Sequence, residues 1–234
     1  MYKYYTYYKM SDITYLSNEI IFDKSEIIIA SFDPAIKNMG FRVERRFFDL
    51  ETKTTTKVET IHYERVSLFD NNEKETETKD DSLFSVLNQK LNGWYNMLQN
   101  VDLFIIERQN PISRYNPQLG RALTHFNPNT IKQYSQLCSY FLVKFPDRCI
   151  LTINPKLKAK ILSFPAKLSY NDTKKHSVKL SLERLALYGD QNGLNILNSA
   201  GSKKDDLADS FIQIEAFFAL CLKNNKPKTK TTKK

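Results

Sequence analysis

Two short apolar runs stand out in the sequence, and each ends on an acidic residue. Residues 27–32 are Ile-Ile-Ile-Ala-Ser-Phe and precede Asp33, and residues 103–106 are Leu-Phe-Ile-Ile and precede Glu107. Continuous apolar runs of this length, bounded by polar residues, are typical of strands that are buried on both faces of a sheet. We therefore predict two interior strands, each of which ends on a carboxylate.

Three further strands are predicted around these two. Residues 40–48 and 57–69 follow the first run without an intervening helix and alternate in part between apolar and polar positions, which favours an antiparallel meander. Residues 148–153 form a short apolar segment that ends before Pro155. Since the later strands alternate with helical segments, we expect them to be parallel. The predicted fold class is α/β, with a mixed five-stranded sheet covered by helices on both faces.

The segments between the predicted strands show helical spacing of apolar residues. The predicted helices span residues 82–99, 129–144, 172–188 and 202–222. In the last of them, Leu207, Phe211 and Ile214 recur every three or four positions and form the face expected to contact the sheet.

Polar segments flank the predicted domain. We assign residues 1–25 to an N-terminal extension, 26–222 to one folded domain, and 223–234 to a Lys-rich tail that we expect to be disordered. Residues 70–81 are charged and lack apolar side chains, so a mobile loop is predicted there. No apolar segment approaches the length of a membrane span, so no membrane partner is expected. The three cysteines lack metal-binding spacing, which favours reduced thiols in an intracellular protein.

Charge narrows the range of partners. The net charge is +9 and the isoelectric point about 9.3, which favours a polyanion such as nucleic acid. Removing the six lysines of the tail leaves 9 − 6 = +3 on the rest of the chain, so the tail could also serve solubility alone. The sequence contains no Gly-rich phosphate loop, so no nucleotide cofactor is expected.

Two acids in the last predicted helix complete a candidate site. Asp206 and Asp209 are three residues apart and therefore share one helical face. If this helix crosses the ends of the two apolar strands, both acids meet Asp33 and Glu107. Taken singly, Asp33 before Pro34 is typical of a turn, and acids near a helix start are favoured by the helix dipole. Together, four carboxylates suit Mg²⁺, or Mn²⁺ as a substitute, and two such ions catalyse phosphodiester hydrolysis.

The residues around these acids resemble three acidic motifs of RuvC-like Holliday junction resolvases, members of the ribonuclease H-like superfamily. The matching segments are residues 29–40 (Ile-Ala-Ser-Phe-Asp-Pro-Ala-Ile-Lys-Asn-Met-Gly), 105–109 (Ile-Ile-Glu-Arg-Gln) and 204–210 (Lys-Asp-Asp-Leu-Ala-Asp-Ser). The resemblance is strongest to the poxvirus and large-DNA-virus branch. It implies a ribonuclease H-like fold over residues 26–222.

The resemblance also implies an activity and a site. It implies a homodimer that cuts two opposed strands of a four-way DNA junction, with Mg²⁺ held by Asp33, Glu107, Asp206 and Asp209. Asp205 is an alternative to Asp206, because it lies four residues before Asp209. A viral protein that acts at sites of DNA replication in the host cell is the corresponding expectation for localisation.

Basic and polar residues near the motifs are predicted to contact DNA. They are Lys37, Gln109, Arg114, Lys174, Lys175, Lys203 and Lys204. Two alternative functions stay open at this point. One is another ribonuclease H-like nuclease, acting on RNA–DNA hybrids or in the manner of a transposase, and the other is a non-catalytic basic protein that binds DNA.

Overall fold

The structure is a computed structural model that describes residues 12–18, 24–52, 54–68, 80–109, 112–116, 121–125 and 128–223. Within these ranges, the description of residues 80–82, 112–116, 121–125 and 222–223 covers the backbone only. The strands are β1 (Ile13–Tyr15), β2 (Glu26–Asp33), β3 (Met39–Asp49), β4 (Thr54–Val66), β5 (Leu103–Glu107), β6 (Ile112–Asn116), β7 (Arg121–His125) and β8 (Cys149–Ile153). The helices are α1 (Asp80–Gly93), α2 (Tyr95–Leu98), α3 (Pro128–Lys144), α4 (Pro155–Ile161), α5 (Tyr170–Leu187), α6 (Gln191–Ser199) and α7 (Lys204–Lys223).

The main sheet is mixed, as predicted, but it has six strands instead of five. Its order is β1-β8-β5-β2-β3-β4. Strands β2, β3 and β4 form the antiparallel meander, whereas β5 is parallel to both β2 and β8. The additional strand, β1, pairs antiparallel with β8 and comes from the segment that we assigned to an extension. A strand of three residues is too short to show a two-residue period, which is why the sequence pattern missed it.

Several predicted boundaries differ from the observed ones. The helix predicted over residues 82–99 is divided at Trp94 into α1 and α2. Helix α5 begins at Tyr170 after Ser169, whose hydroxyl accepts a hydrogen bond from the Asp172 N–H, so Asp172 lies inside the helix. The short helices α4 and α6 and the β6–β7 hairpin were not predicted. Residues 1–11, 19–23, 69–79 and 224–234, which hold most of the predicted extension, loop and tail, lie outside the described residues.

Alternating side chains of the strands build a hydrophobic core on each face of the sheet. Phe32 and Phe104 face the core that includes helices α1 and α3. Ile29 and Ile105 face the opposite core, which includes α4 and α7. Helices therefore cover both faces, as predicted. This arrangement leaves the carboxyl ends of β2, β5 and β8 along one edge of the sheet, where sites of such folds form.

Helix α7 is fixed against β2 and β3 by two close contacts. The buried amide of Gln213 donates hydrogen bonds to Ser31 Oγ at 2.8 Å and to the Phe32 carbonyl at 3.0 Å. At the start of α7, a Cβ atom added to Gly40 would lie 2.3 Å from the Asp206 carbonyl oxygen, so only glycine allows this approach. Gly40 pairs with Asp33 across the β2–β3 ladder, and the contact therefore brings α7 to the end of β2.

A buried network of charges also joins α7 to the sheet. Arg42, Glu44 and Arg46 lie on one face of β3 and are fully buried. Glu44 bridges the two arginines, Arg42 also pairs with Asp190 at 2.8 Å, and Arg46 also pairs with Glu215 of α7 at 2.6 Å. Because each buried charge has a partner, the network fixes the position of α7 on β3 without leaving an isolated charge.

Two other expectations concern membrane spans and cysteines. Of the helices that the structure describes, none combines the length and the apolar character that a bilayer crossing needs. Cys138, Cys149 and Cys221 are all free thiols, in keeping with the prediction of reduced cysteines.

Candidate active site

Asp33 and Glu107 lie side by side at one edge of the sheet. Each is the last residue of its strand, and the preceding residues, Phe32 and Ile106, are partners in the parallel ladder of β2 and β5. Glu107 is buried and Asp33 is half-buried. The two apolar runs therefore place two carboxylates next to each other at low solvent exposure.

Asp209 of α7 approaches the same pair. Removal from water raises the pKa of Asp33 well above its ordinary value, and the negative charges of Glu107 and Asp209 raise it further, as does a hydrogen bond with Glu107. Lys158 opposes this shift. An acid whose pKa is raised by two neighbouring acids shares a site with them. Three of the four predicted acids thus come together, from β2, β5 and α7.

Lys158 is the residue of this site that sequence reasoning missed. Its ammonium lies 2.6 Å from Glu107 Oε2 and 3.5 Å from Asp209 Oδ1, and the side chain is only 11% exposed. Burial disfavours the charged ammonium, but Asp209, Glu107 and Asp33 more than compensate and raise the pKa of Lys158. In the sequence it does not differ from the neighbouring Lys156 and Lys160. The available signal was its position on the helix that directly follows β8, the parallel neighbour of β5.

The fourth predicted acid, Asp206, has different neighbours. Burial raises its pKa, Asp205 raises it further, and Lys174 and Lys203 oppose the shift. Asp205, the alternative ligand, forms an ion pair with Lys174. One carboxylate oxygen of Asp206 is buried and lacks a hydrogen-bond partner within the described part of the chain. Asp206 therefore has a carboxylate oxygen available to bind a metal, one helical turn from Asp209. We retain it as the predicted fourth acid.

The donor chemistry of the cluster suits a hard divalent cation. Asp33, Glu107 and Asp209 offer only carboxylate oxygens, which Mg²⁺ and Mn²⁺ prefer. If all three are ionised, they and Lys158 sum to −3 + 1 = −2, which is the charge that one divalent cation neutralises. Across the described ranges, no three His, Cys, Asp or Glu side chains are already spaced as ligands of a metal ion. In this conformation the ammonium of Lys158 lies between two of the acids instead.

The predicted DNA contacts fall into two groups. Lys37 is exposed in the turn after β2, and Gln109 is half-buried just after Glu107, so both flank the acids at the sheet edge. Lys174 and Lys175 lie on α5, whereas Lys203 ends the 3-10 turn before α7 and Lys204 is the first residue of α7. The side chain of Arg114, on β6, lies outside the described part of the structure.

Comparison of the structure with solved structures identifies the fold. It is similar to the Thermus thermophilus RuvC structure, with a TM-score of 0.52 and 12% sequence identity over 82% of this chain and 95% of that one. The chain thus has a RuvC-like, ribonuclease H-like fold. Weaker similarities are to T. thermophilus RuvC in complex with a Holliday junction substrate (TM-score 0.49, 12% identity, 83% and 94% covered) and to a propionate kinase from Francisella tularensis subsp. tularensis SCHU S4 (TM-score 0.27, 12% identity, 72% and 50% covered).

Sequence comparisons add no closer relative. No protein-family model matches the chain, and no curated protein sequence matches it. The RuvC-like part of the prediction is therefore confirmed at the level of the fold, whereas the poxvirus-type assignment stays a prediction.

Proposed function

We propose that this protein is a metal-dependent endonuclease that cuts branched DNA and resolves four-way junctions. The observation that carries the proposal is the meeting of Asp33, Glu107 and Asp209 at the carboxyl edge of a RuvC-like sheet. These are three of the acids predicted from the motifs, and they arrive from three separate elements. Burying several carboxylates together is unfavourable, and Glu107 is buried while the pKa of Asp33 is raised. Such clusters are typical of functional sites.

Asp33, Glu107 and Asp209, with Asp206 from the preceding turn of α7, would hold Mg²⁺. The bound metal would activate the attacking water and stabilise the leaving oxygen of the phosphodiester. The protein residues supply position and charge. Strands β2 and β5 hold two carboxylates rigidly, Gln213 and Gly40 fix α7, and Lys158 provides a buried positive charge that can contact either a carboxylate or a phosphate oxygen.

The lysines around the acids would bind the DNA backbone. Lys37 and Gln109 flank the site on the sheet edge, and the lysines of α5 and of the start of α7 extend a basic surface away from it. Binding that depends on such contacts weakens steeply as the salt concentration rises. A four-way junction has a two-fold arrangement of strands, so symmetric cutting requires two sites. We therefore propose a homodimer with one site in each subunit.

The motif resemblance supports a narrower proposal about biology. We infer a viral protein of the poxvirus or large-DNA-virus type that acts inside the host cell at sites of DNA replication. The proposed nuclease activity does not depend on this inference about viral origin and localisation.

The test compares cleavage of three labelled substrates: a synthetic four-way junction, a linear duplex of the same sequence and an RNA–DNA hybrid. Each is incubated with EDTA, Mg²⁺ or Mn²⁺. We expect paired cuts in the junction only when a divalent metal is present. Glu107→Gln should abolish cutting while junction binding is retained. Asp147→Asn is the matched control. Asp147 is an exposed acid in the turn before β8, at the end of this strand that lies away from the site.

Other outcomes point to the alternative functions. Cleavage of the hybrid without cleavage of the junction would favour a different ribonuclease H-like nuclease. A non-catalytic DNA-binding protein is favoured by one observation, the ammonium of Lys158 between Glu107 and Asp209. That function predicts salt-sensitive junction binding without hydrolysis in either metal, and no effect of Glu107→Gln.

A further inference from the structure

A groove between α5 and the start of α7 lies outside the cluster of Asp33, Glu107 and Asp209. It has a volume of about 650 Å³ and is bounded by one face of α5, from Asn171 to Glu183, and by Gly201, Ser202, Lys204 and Asp205. The α5 residues that line it recur at intervals of three or four, so they form one stripe along the helix. At 1.5 Å per residue, the twelve steps from Asn171 to Glu183 extend over about 18 Å. The groove is therefore long enough for more than one nucleotide of an extended strand.

The groove combines an apolar floor with basic walls. Val178 and Leu182 are half-buried and pack against the core formed by α5, α6 and α7. Lys174, Lys175, Lys179 and Lys204 line the groove with two acids, Glu183 and Asp205, which gives a net charge of 4 − 2 = +2. Two of the four lysines pair with these acids, Lys174 with Asp205 and Lys179 with Glu183, and the other two carry the net positive charge. An apolar floor between cations suits a ligand that has both a flat apolar surface and negative charges.

Tyr170 lies beside one end of this groove, because it directly precedes Asn171 and contacts Lys174, which both line the groove. It is the first residue of α5 and is 75% exposed, whereas tyrosine is on average a residue of intermediate burial in folded proteins. The ammonium of Lys174 lies 5.0 Å from the centre of its ring, and Lys174 also pairs with Asp205. The ring is thus held by its contact with Lys174 while much of its surface remains open to solvent.

The groove adjoins the proposed active site. Asp205, at its wall, directly precedes Asp206 in α7. A DNA strand that lies in the groove therefore passes the end of α7 that carries the acids.

We propose that this groove binds an unpaired stretch of a DNA strand, with bases stacked on Tyr170 and on the apolar floor and phosphates bound by the lysines. Grooves for single-stranded nucleic acid combine a basic track with aromatic rings in this way, because every base has a stacking surface. The groove would select branched DNA whose strands are unpaired near the cleavage point. This inference specifies the substrate and therefore extends the proposed nuclease function.

The test measures fluorescence anisotropy of a labelled oligo(dT) of about 15 nucleotides, near the upper limit of site sizes for such grooves. The full chain is titrated in EDTA at several salt concentrations. Tyr170→Ala should weaken binding about tenfold through lost stacking, without changing the salt dependence, since no charge is removed. Tyr170→Phe should bind as the wild type does. Lys179→Gln should lower the slope of log affinity against log salt by about 0.7, the value for one phosphate contact of a single strand.

Leu187→Ala is the control, because Leu187 is an exposed apolar residue at the opposite end of α5 from Tyr170, four residues beyond Glu183, the last residue of α5 that lines the groove. Unchanged affinity in Tyr170→Ala, or an equal loss in Leu187→Ala, would overturn the proposal. An effect of Lys179→Gln without an effect of Tyr170→Ala would show that only backbone phosphates bind there, and would overturn it too. Junction cleavage by the wild type is measured separately and tests the nuclease function alone. Oligonucleotide binding tests the groove alone, so either proposal can fail while the other holds.

Discussion

Replacing Lys158 by methionine removes the only positive charge that contacts Glu107 and Asp209 in the described structure, and it nearly preserves the volume of the side chain. The ammonium lies 2.6 Å from Glu107 and its side chain is 11% exposed, so the pair behaves as a buried one. Removal of one partner of a buried ion pair destabilises a protein by about 3–5 kcal/mol. Because Asp209 is 26% exposed and Asp33 can take up a proton, we expect a destabilisation at the lower end of this range, about 3 kcal/mol. For a chain of this size that corresponds to a fall in Tm of roughly 6–12 °C.

The assay is thermal unfolding of Lys158→Met and wild type in EDTA and in saturating Mg²⁺ or Mn²⁺. The decrease in Tm should appear in EDTA and should be largely reversed by the metal, because a divalent cation can replace the ammonium among the three acids. Isothermal titration should also show tighter Mg²⁺ binding by the variant, since the metal no longer competes with Lys158. Lys160→Met is the control, because Lys160 lies on the same helix but pairs with Asp12 at an exposed position. The reasoning is refuted if the variant unfolds at the same temperature in EDTA, or if metal stabilises both proteins equally.

Three further predictions concern the acids, the approach of α7 and the buried charges. The raised pKa of Asp33 means that folding disfavours its ionised form, so stability falls as pH rises from 3.8 through the pKa of the folded state. Asp33→Asn should therefore raise Tm in EDTA at neutral pH, and a lower Tm would contradict this. The Cβ added by Gly40→Ala would lie 2.3 Å from the Asp206 carbonyl oxygen and should push the start of α7 away. Cleavage should fall at least tenfold, while circular dichroism should show that the fold is kept. Arg46→Ala should leave Glu215 without its 2.6 Å partner and lower the free energy of unfolding in urea by about 3–5 kcal/mol, a change below 1 kcal/mol being incompatible with the network.

Much of the sheet follows from hydrophobic patterning, because interior strands are buried on both faces and therefore have continuous apolar runs. Residues 27–32 and 103–106 are such runs, and the carboxylates that end them meet as predicted. The position of Asp209 also follows from pattern, since the apolar face of α7 must contact the sheet and leaves its acids at the strand ends.

Other features depend on tertiary contacts that no local pattern contains. The charged residues of β3 suggest an exposed strand face, yet Arg42, Glu44 and Arg46 are buried. The matching acids come from the residue before α6 and from α7. Lys158 resembles its neighbouring lysines in sequence, and only the orientation of α4 distinguishes it. Strand β1 forms through pairing with β8 and not through its own three residues.

The central claim is that the acids at the carboxyl edge of the sheet bind a divalent metal. Its most direct test is a crystal structure of the wild-type protein soaked in Mn²⁺, with the metal located by anomalous scattering. We expect an anomalous peak within about 2.5 Å of carboxylate oxygens of Asp33, Glu107 and Asp209, with the Lys158 ammonium moved away from Glu107. A map with no peak at this edge and with the Lys158–Glu107 pair intact at saturating Mn²⁺ would contradict the claim.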